Sequence, residues 1–202
     1  MKLPKIRELK EAITALIKGP YTTKFPYEPH TPKPKFRGKT EYSKDDCVGC
    51  AACAEVCPAH TIEVEDIVDK DKKTGKRRIT LFHENCIFCG NCVENCITKK
   101  GIKQTQEFDL ATYDRKSVYS EVEKELVLCQ CCGEVITTLE HLEWISKQVS
   151  EAEFTNPTLY LSKLKSLGLS SYEGIVGLIP FQRARRQLIL CHKCRREATL
   201  ER

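Results

Sequence analysis

The sequence predicts an α+β protein built around a doubled cysteine motif. Three observations carry that prediction. The stretches CVGCAACAEVCP (47–58) and CIFCGNCVENC (86–96) repeat one cysteine spacing. Two β-rich runs lie between them, and runs of helical periodicity lie before and after.

Composition narrows the class first. A chain of 202 residues, 41% hydrophobic and 30% charged, suits a soluble globular protein of one or two domains. No N-terminal stretch has the apolar core of a signal peptide, and no apolar run approaches the ~18 residues that cross a bilayer. The 13 cysteines are therefore expected in a reducing compartment, where clustered thiols hold metal more often than they form disulfides. The net charge of +5 is uneven: residues 1–45 carry 11 basic and 5 acidic side chains. Such an arm suits an acidic protein surface or anionic lipid heads.

Residues 4–18 predict a helix, with Pro4 in its first turn and Gly19-Pro20 as the stop. Ile6, Leu9, Ile13, Leu16 and Ile17 form one apolar stripe, which packs on the chain's own core or docks elsewhere. The next stretch, residues 20–38, is proline-rich and extended. Its aromatics Tyr21, Phe25, Tyr27 and Phe36 read as anchors against another surface. TIEVEDIVD and KRRITLF predict a hairpin over 61–82, with the charged Lys70–Arg78 run as a solvated tip. Residues 110–128 carry no assignment. Beyond them, Leu139, Leu142, Ile145 and Val149 recur as on a helix, with Trp144 in the core and His141 at the surface. A second helix starts at Asn156-Pro157 and ends at Gly168.

Both cysteine stretches read C-x2-C-x2-C-x3-C, the signature of a chain holding two [4Fe–4S] clusters. Three cysteines two residues apart share a tight loop, so their sulfurs converge on one cube. The fourth lies a helical turn further on and completes the other cube. One cluster is expected on Cys47, Cys50, Cys53 and Cys96, the other on Cys86, Cys89, Cys92 and Cys57. Small residues such as Gly49, Ala51 and Gly90 let backbone amides reach the sulfurs. Pro58 follows Cys57 as in the bacterial run, whereas Ile97 follows Cys96. Structural zinc usually takes two pairs across a longer loop.

Behind the arm YTTKFPYEPHTPKPKFRGK, these motifs resemble the two-cluster ferredoxin-type subunit of respiratory complex I and of group 4 membrane-bound [NiFe] hydrogenases. The resemblance covers roughly residues 1–112. It implies a bacterial-type two-[4Fe–4S] ferredoxin-like domain over 41–112, behind an N-terminal helix and docking arm over 1–40. A mainly helical, cysteine-rich extension over 113–202 is similar to that of the formate hydrogenlyase-type subunit.

The extension carries two further pairs, Cys129-x-x-Cys132 and Cys191-x-x-Cys194, about 58 residues apart. Together they make a tetrahedral S4 set for zinc or a single rubredoxin-like iron, with Cys131 as an alternative ligand. The basic residues Arg183, Arg185, Arg186, Lys193, Arg195 and Arg196 read as a solvated face or a docking patch.

No nucleophile triad, paired carboxylates or phosphate-binding loop is recognisable, so no catalytic residue is assigned. The expected function is electron relay inside a membrane-associated oxidoreductase, peripheral on the cytoplasmic side. The resemblance implies partners among hydrogenase-like subunits, including large and small [NiFe]-type subunits, or among complex I-like ones. No nucleic acid and no small substrate is expected as a partner. The alternatives are a quinone-reducing complex I-type assembly, a diffusing ferredoxin and, least favoured, a zinc-binding nucleic-acid module.

Overall fold

Alternating β-branched residues set the frame. The computed structural model describes residues 5–20, 22–69, 74–168 and 188–200. Strands β1 (Thr40–Tyr42), β2 (Ile62–Asp69) and β3 (Thr74–Phe82) precede the second cysteine stretch, and β4 (Ile102–Gln104) follows it. The hairpin pairs β2 with β3 in register from Ile62↔Leu81 to Asp69↔Thr74, and its tip, residues 70–73, lies outside the described residues. β1 and β4 pair antiparallel from Thr40↔Gln104 to Tyr42↔Ile102, which closes the chain around both cysteine stretches.

The extension adds two strands to the helices expected of it. It begins with β5 (Tyr119–Leu128) and β6 (Val135–Thr138), which give one antiparallel sheet ordered β2-β3-β5-β6. The stretch YSEVEKELVL alternates, with Val122, Lys124 and Leu126 turned inward and Glu121, Glu123 and Glu125 exposed. Helices α4 (Leu139–Val149), α5 (Pro157–Ser166) and α6 (His192–Leu200) follow. Thr138 caps α4 by accepting from the His141 amide, and Asn156 caps α5 with Pro157 at its first position.

One apolar core lies beneath the cysteine stretches, built from Cys53, Ile62, Ile79, Leu81, Ile102 and Val122. Ile79 and Leu81 are each 1% exposed. Burial of such side chains stabilises by roughly 1.5–3 kcal/mol apiece. A second, smaller core gathers Cys129, Leu190, Cys191 and Ala198.

Residues 1–36 form a separate compact unit. Its helix α1 (Ile6–Lys18) starts with Glu8 accepting from the Lys5 amide at 3.0 Å, and its apolar stripe is exposed, Ile6 at 89% and Leu16 at 85%. In the arm, Lys24 pairs with Glu28, and Tyr27 is exposed. Pro4, Tyr21 and the basic residues Arg183, Arg185 and Arg186 lie outside the described residues.

Candidate iron–sulfur centre and a four-cysteine site

The two cysteine stretches fold as near copies. Gly49 (φ 67°) and Phe88 (φ 52°) occupy the same place in each, as do Ala51 (64°) and Gly90 (84°), and His60 (49°) and Lys99 (60°). Left-handed residues at those points curl the backbone so that its amides turn inward, a concave arrangement suited to negative sulfur. The Phe88 amide donates to Cys86 Sγ at 3.5 Å. Short helices α2 (Ala52–Glu55) and α3 (Asn91–Glu94) carry the third cysteine of each loop, Cys53 and Cys92.

Each loop opens onto its own recess. One is lined by Cys47, Cys50, Cys53 and Cys96, with Tyr42, Ile79 and Ile102 as its apolar floor. The other is lined by Cys86, Cys89, Cys92 and Cys57, with Ile62, Leu81 and Phe88. Each recess thus takes three cysteines from one stretch and the fourth from its twin. Four thiols around an otherwise apolar recess, with inward amides, fit a [4Fe–4S] cluster in chemistry.

The thiols divide by position. Burial pushes Cys53 and Cys92 up to about 11, against hydrogen bonds from the Tyr42 hydroxyl and the Val93 amide respectively. Tyr42 Oη lies 3.6 Å from Cys53 Sγ. Burial also opposes ionisation of Cys57 and Cys96, yet both end below the usual thiol range. The hydroxyl and amide of Thr61 favour the Cys57 thiolate, and those of Thr98 favour that of Cys96. These hydroxyls lie 3.5 and 3.3 Å from their sulfurs.

A second cysteine group stands apart from the recesses. The sulfurs of Cys129, Cys132, Cys191 and Cys194 all lie within 4.8 Å of one another. The first pair sits on a tight turn after β5, where Gly133 (φ 74°) donates to the Cys129 carbonyl at 2.9 Å. The second pair opens α6. The Gln130 amide bonds the Ile189 carbonyl at 2.9 Å, and the Cys191 amide donates to Cys129 Sγ at 3.3 Å, which ties the pairs together. Burial works against ionising Cys129, but the amides of Cys132, Cys191 and Cys131 outweigh it and bring the thiol to about 7. Cys194 is pushed well above the usual range by burial and by its crowded neighbours. Four such thiols can ionise together only around a cation, and the set suits tetrahedral thiolate ligation. Cys131 is exposed and outside the four.

Two expectations change here. His141 is half-buried, 2.9 Å from Thr137 Oγ1 and beside Trp144, because α4 lays it against β6. Arg195 turns inward to the Leu188 carbonyl and Thr158, whereas Lys193 stays on the solvated face and pairs with Glu134 at 3.3 Å.

Residues 46–100 match the family described as 4Fe-4S dicluster domain. At the level of whole chains, the protein is 40% identical over 120 residues to NADH-quinone oxidoreductase subunit I 2 of Geobacter metallireducens, spanning 57% of this chain and 91% of that one. It is 30% identical over 143 residues to NAD(P)H-quinone oxidoreductase subunit I of Gloeobacter violaceus, spanning 68% of this chain and 67% of that one. A solved structure titled as the membrane-bound sulfane sulfur reductase, an archaeal respiratory membrane complex, is 27% identical over 56% of this chain and 59% of that one, with a TM-score of 0.39. A two-cluster iron–sulfur protein is the class these features define. The chain belongs to the family of NADH-quinone oxidoreductase subunit I.

Proposed function

We propose that the chain is an electron-transfer subunit of a membrane-associated respiratory complex, binding two [4Fe–4S] clusters and no substrate of its own. The observation that carries this reading is the crosswise lining of the two recesses, three cysteines from one stretch and one from the other. Bound clusters supply one-electron transfer. Cys47, Cys50, Cys53 and Cys96 would hold one, and Cys86, Cys89, Cys92 and Cys57 the other. The protein's share is to fix both thiolate sets on one rigid core, keep water from the recess floors with Ile62, Ile79, Leu81 and Ile102, and aim amides at sulfur.

In the same reading Cys129, Cys132, Cys191 and Cys194 hold one mononuclear metal ion, and the extension is organised around it as a zinc-ribbon- or rubredoxin-like unit. Zinc is the better fit for a site that ties a turn to the start of a helix. The proposed units are the helix and arm over 1–40, the cluster domain over 41–112 and the extension over 113–202.

Membrane association is proposed to be peripheral, on the cytoplasmic face. Among the described residues no helix is long and apolar enough to cross a membrane. The exposed stripe of α1 and the aromatic arm supply surfaces for docking on neighbouring subunits. The partner set is proposed to be of the group 4 [NiFe] hydrogenase type. The cysteine-rich extension favours that branch through its resemblance to the formate hydrogenlyase-type subunit. A quinone-reducing set is the second reading, favoured by the names of the relatives themselves. Affinity purification of the tagged full chain from native membranes, with mass spectrometry of what comes with it, decides between them. A [NiFe] large subunit supports the hydrogenase branch and a quinone-reductase set supports the other. A chain recovered alone from the soluble fraction contradicts both and favours a diffusing ferredoxin.

A further inference from the structure

Arg77 on β3 and Lys124 on β5 sit directly opposite each other in the sheet. Like charges at such a pair normally repel and destabilise it. Both are largely buried, with side chains 14% and 9% exposed. They also do similar things: Arg77 turns to the backbone of the first cysteine loop and Lys124 to the backbone just before it. Arg77 Nη1 donates to the Gly49 carbonyl at 3.1 Å, and Lys124 Nζ donates to the Lys44 carbonyl at 2.7 Å. Carboxylates meet them away from each other. Asp66 takes Arg77 in a two-point contact at 2.7 and 2.8 Å, and Glu140 takes Lys124 at 3.3 Å.

The twin loop is treated differently at the matched position. Phe88 corresponds to Gly49, and its carbonyl accepts from the neutral Gln104 amide at 3.2 Å. Arg37 bonds the Cys89 carbonyl of that loop at 2.7 Å but is exposed, so solvent and salt weaken its field, and Lys39 nearby is paired with Glu41 and Glu107. A cluster with four thiolates is anionic and gains one more negative charge on reduction. A buried cation therefore favours the reduced form.

Resting on the two-cluster reading above, we propose that Lys124 and Arg77 make the cluster of Cys47, Cys50, Cys53 and Cys96 the more readily reduced of the two. Lys124 comes from the extension, so the extension sets the order in which the two clusters accept electrons. Lys124 and Arg77 are positioning residues, since they touch the loop and not the iron.

The test is a redox titration of the reconstituted full chain, followed by electron paramagnetic resonance, on wild type, Lys124→Met, Lys124→Arg and Gln104→Arg. Two midpoint potentials are expected in the wild type. Lys124→Met lowers the higher one and leaves the lower one in place, Lys124→Arg keeps both, and Gln104→Arg raises the lower one. Glu140→Gln in the Lys124→Met background shows how much of the shift the carboxylate contributes. Arg77→Gln gives the same downward shift of the higher potential if Lys124→Met fails to assemble. Potentials that stay fixed, or move together, in both cation variants overturn the inference while leaving two-cluster binding intact. A wild-type chain that assembles no clusters overturns the two-cluster reading instead.

Discussion

Thr138 donates its hydroxyl to the carbonyl of Val48, ninety residues earlier, and so fastens the foot of α4 to the first cysteine loop. Thr138 is fully buried, and its methyl lies within 2.8 Å of where a side chain on Gly49 would begin. The extension is thus built against the loop, and Thr138 together with Lys124 leaves Gly49 room for no larger residue.

Replacing Thr138 by valine keeps the shape and leaves the Val48 carbonyl without its donor. An unsatisfied buried acceptor costs about 1–3 kcal/mol. Urea unfolding of the loaded chain should show that loss as a lower midpoint at unchanged slope. Gly49→Ala, at φ 67° and with Thr138 and Lys124 in the way, should be at least as damaging.

The proposed cross-supply of ligands makes single cysteine changes act at a distance in sequence. Cys96→Ser should abolish the cluster of the first loop and spare much of the second, and Cys57→Ser should do the reverse. Spectroscopy of each variant, with iron analysis, should find about half the cluster iron. Loss of the cluster on the same stretch as the altered cysteine would mean that the loops are independent.

Metal analysis of the purified chain should find one zinc ion beside the cluster iron, released when Cys129 and Cys191 are both changed to serine. Because the two pairs join segments far apart in sequence, removal should lower the thermal midpoint of the extension. An unchanged melting profile, with no zinc in the wild type, would speak against the site.

His141 gives the pH dependence a sign. Burial, helped by the Arg77 charge, holds its folded pKa below the ordinary value of about 6.5. The unfolded chain therefore binds more protons in the window just below that value. His141 contributes its full stability above about pH 6.5 and loses it as pH falls towards the folded pKa. His141→Gln should flatten this part of a stability–pH curve measured by denaturant midpoints.

Cysteine spacing made the cluster site legible, because C-x2-C-x2-C-x3-C prescribes geometry in very few residues. The hairpin was legible too, from its β-branched runs, as were α4 and α5, from Leu139, Leu142 and the Asn156-Pro157 start. Strand β5 escaped because an inward lysine, Lys124, interrupts the apolar half of its alternation, so that Tyr119–Leu128 reads as merely charged. Its partners explain that lysine only once the sheet is assembled. The left-handed turns at Ala51 and Phe88 were equally hidden, since neither residue type asks for that conformation. The S4 group was readable as two pairs. Spacing left Cys131 open as an alternative ligand; its sulfur lies outside the group of four formed by Cys129, Cys132, Cys191 and Cys194.

Iron and acid-labile sulfide, counted in the anaerobically reconstituted full chain, test the central claim most directly. About eight of each per chain, with an absorbance that bleaches on reduction and a spectrum of two interacting paramagnets, is the expected result. Zinc alone in the cysteine loops, or thiols oxidised to disulfides with no sulfide present, would contradict it.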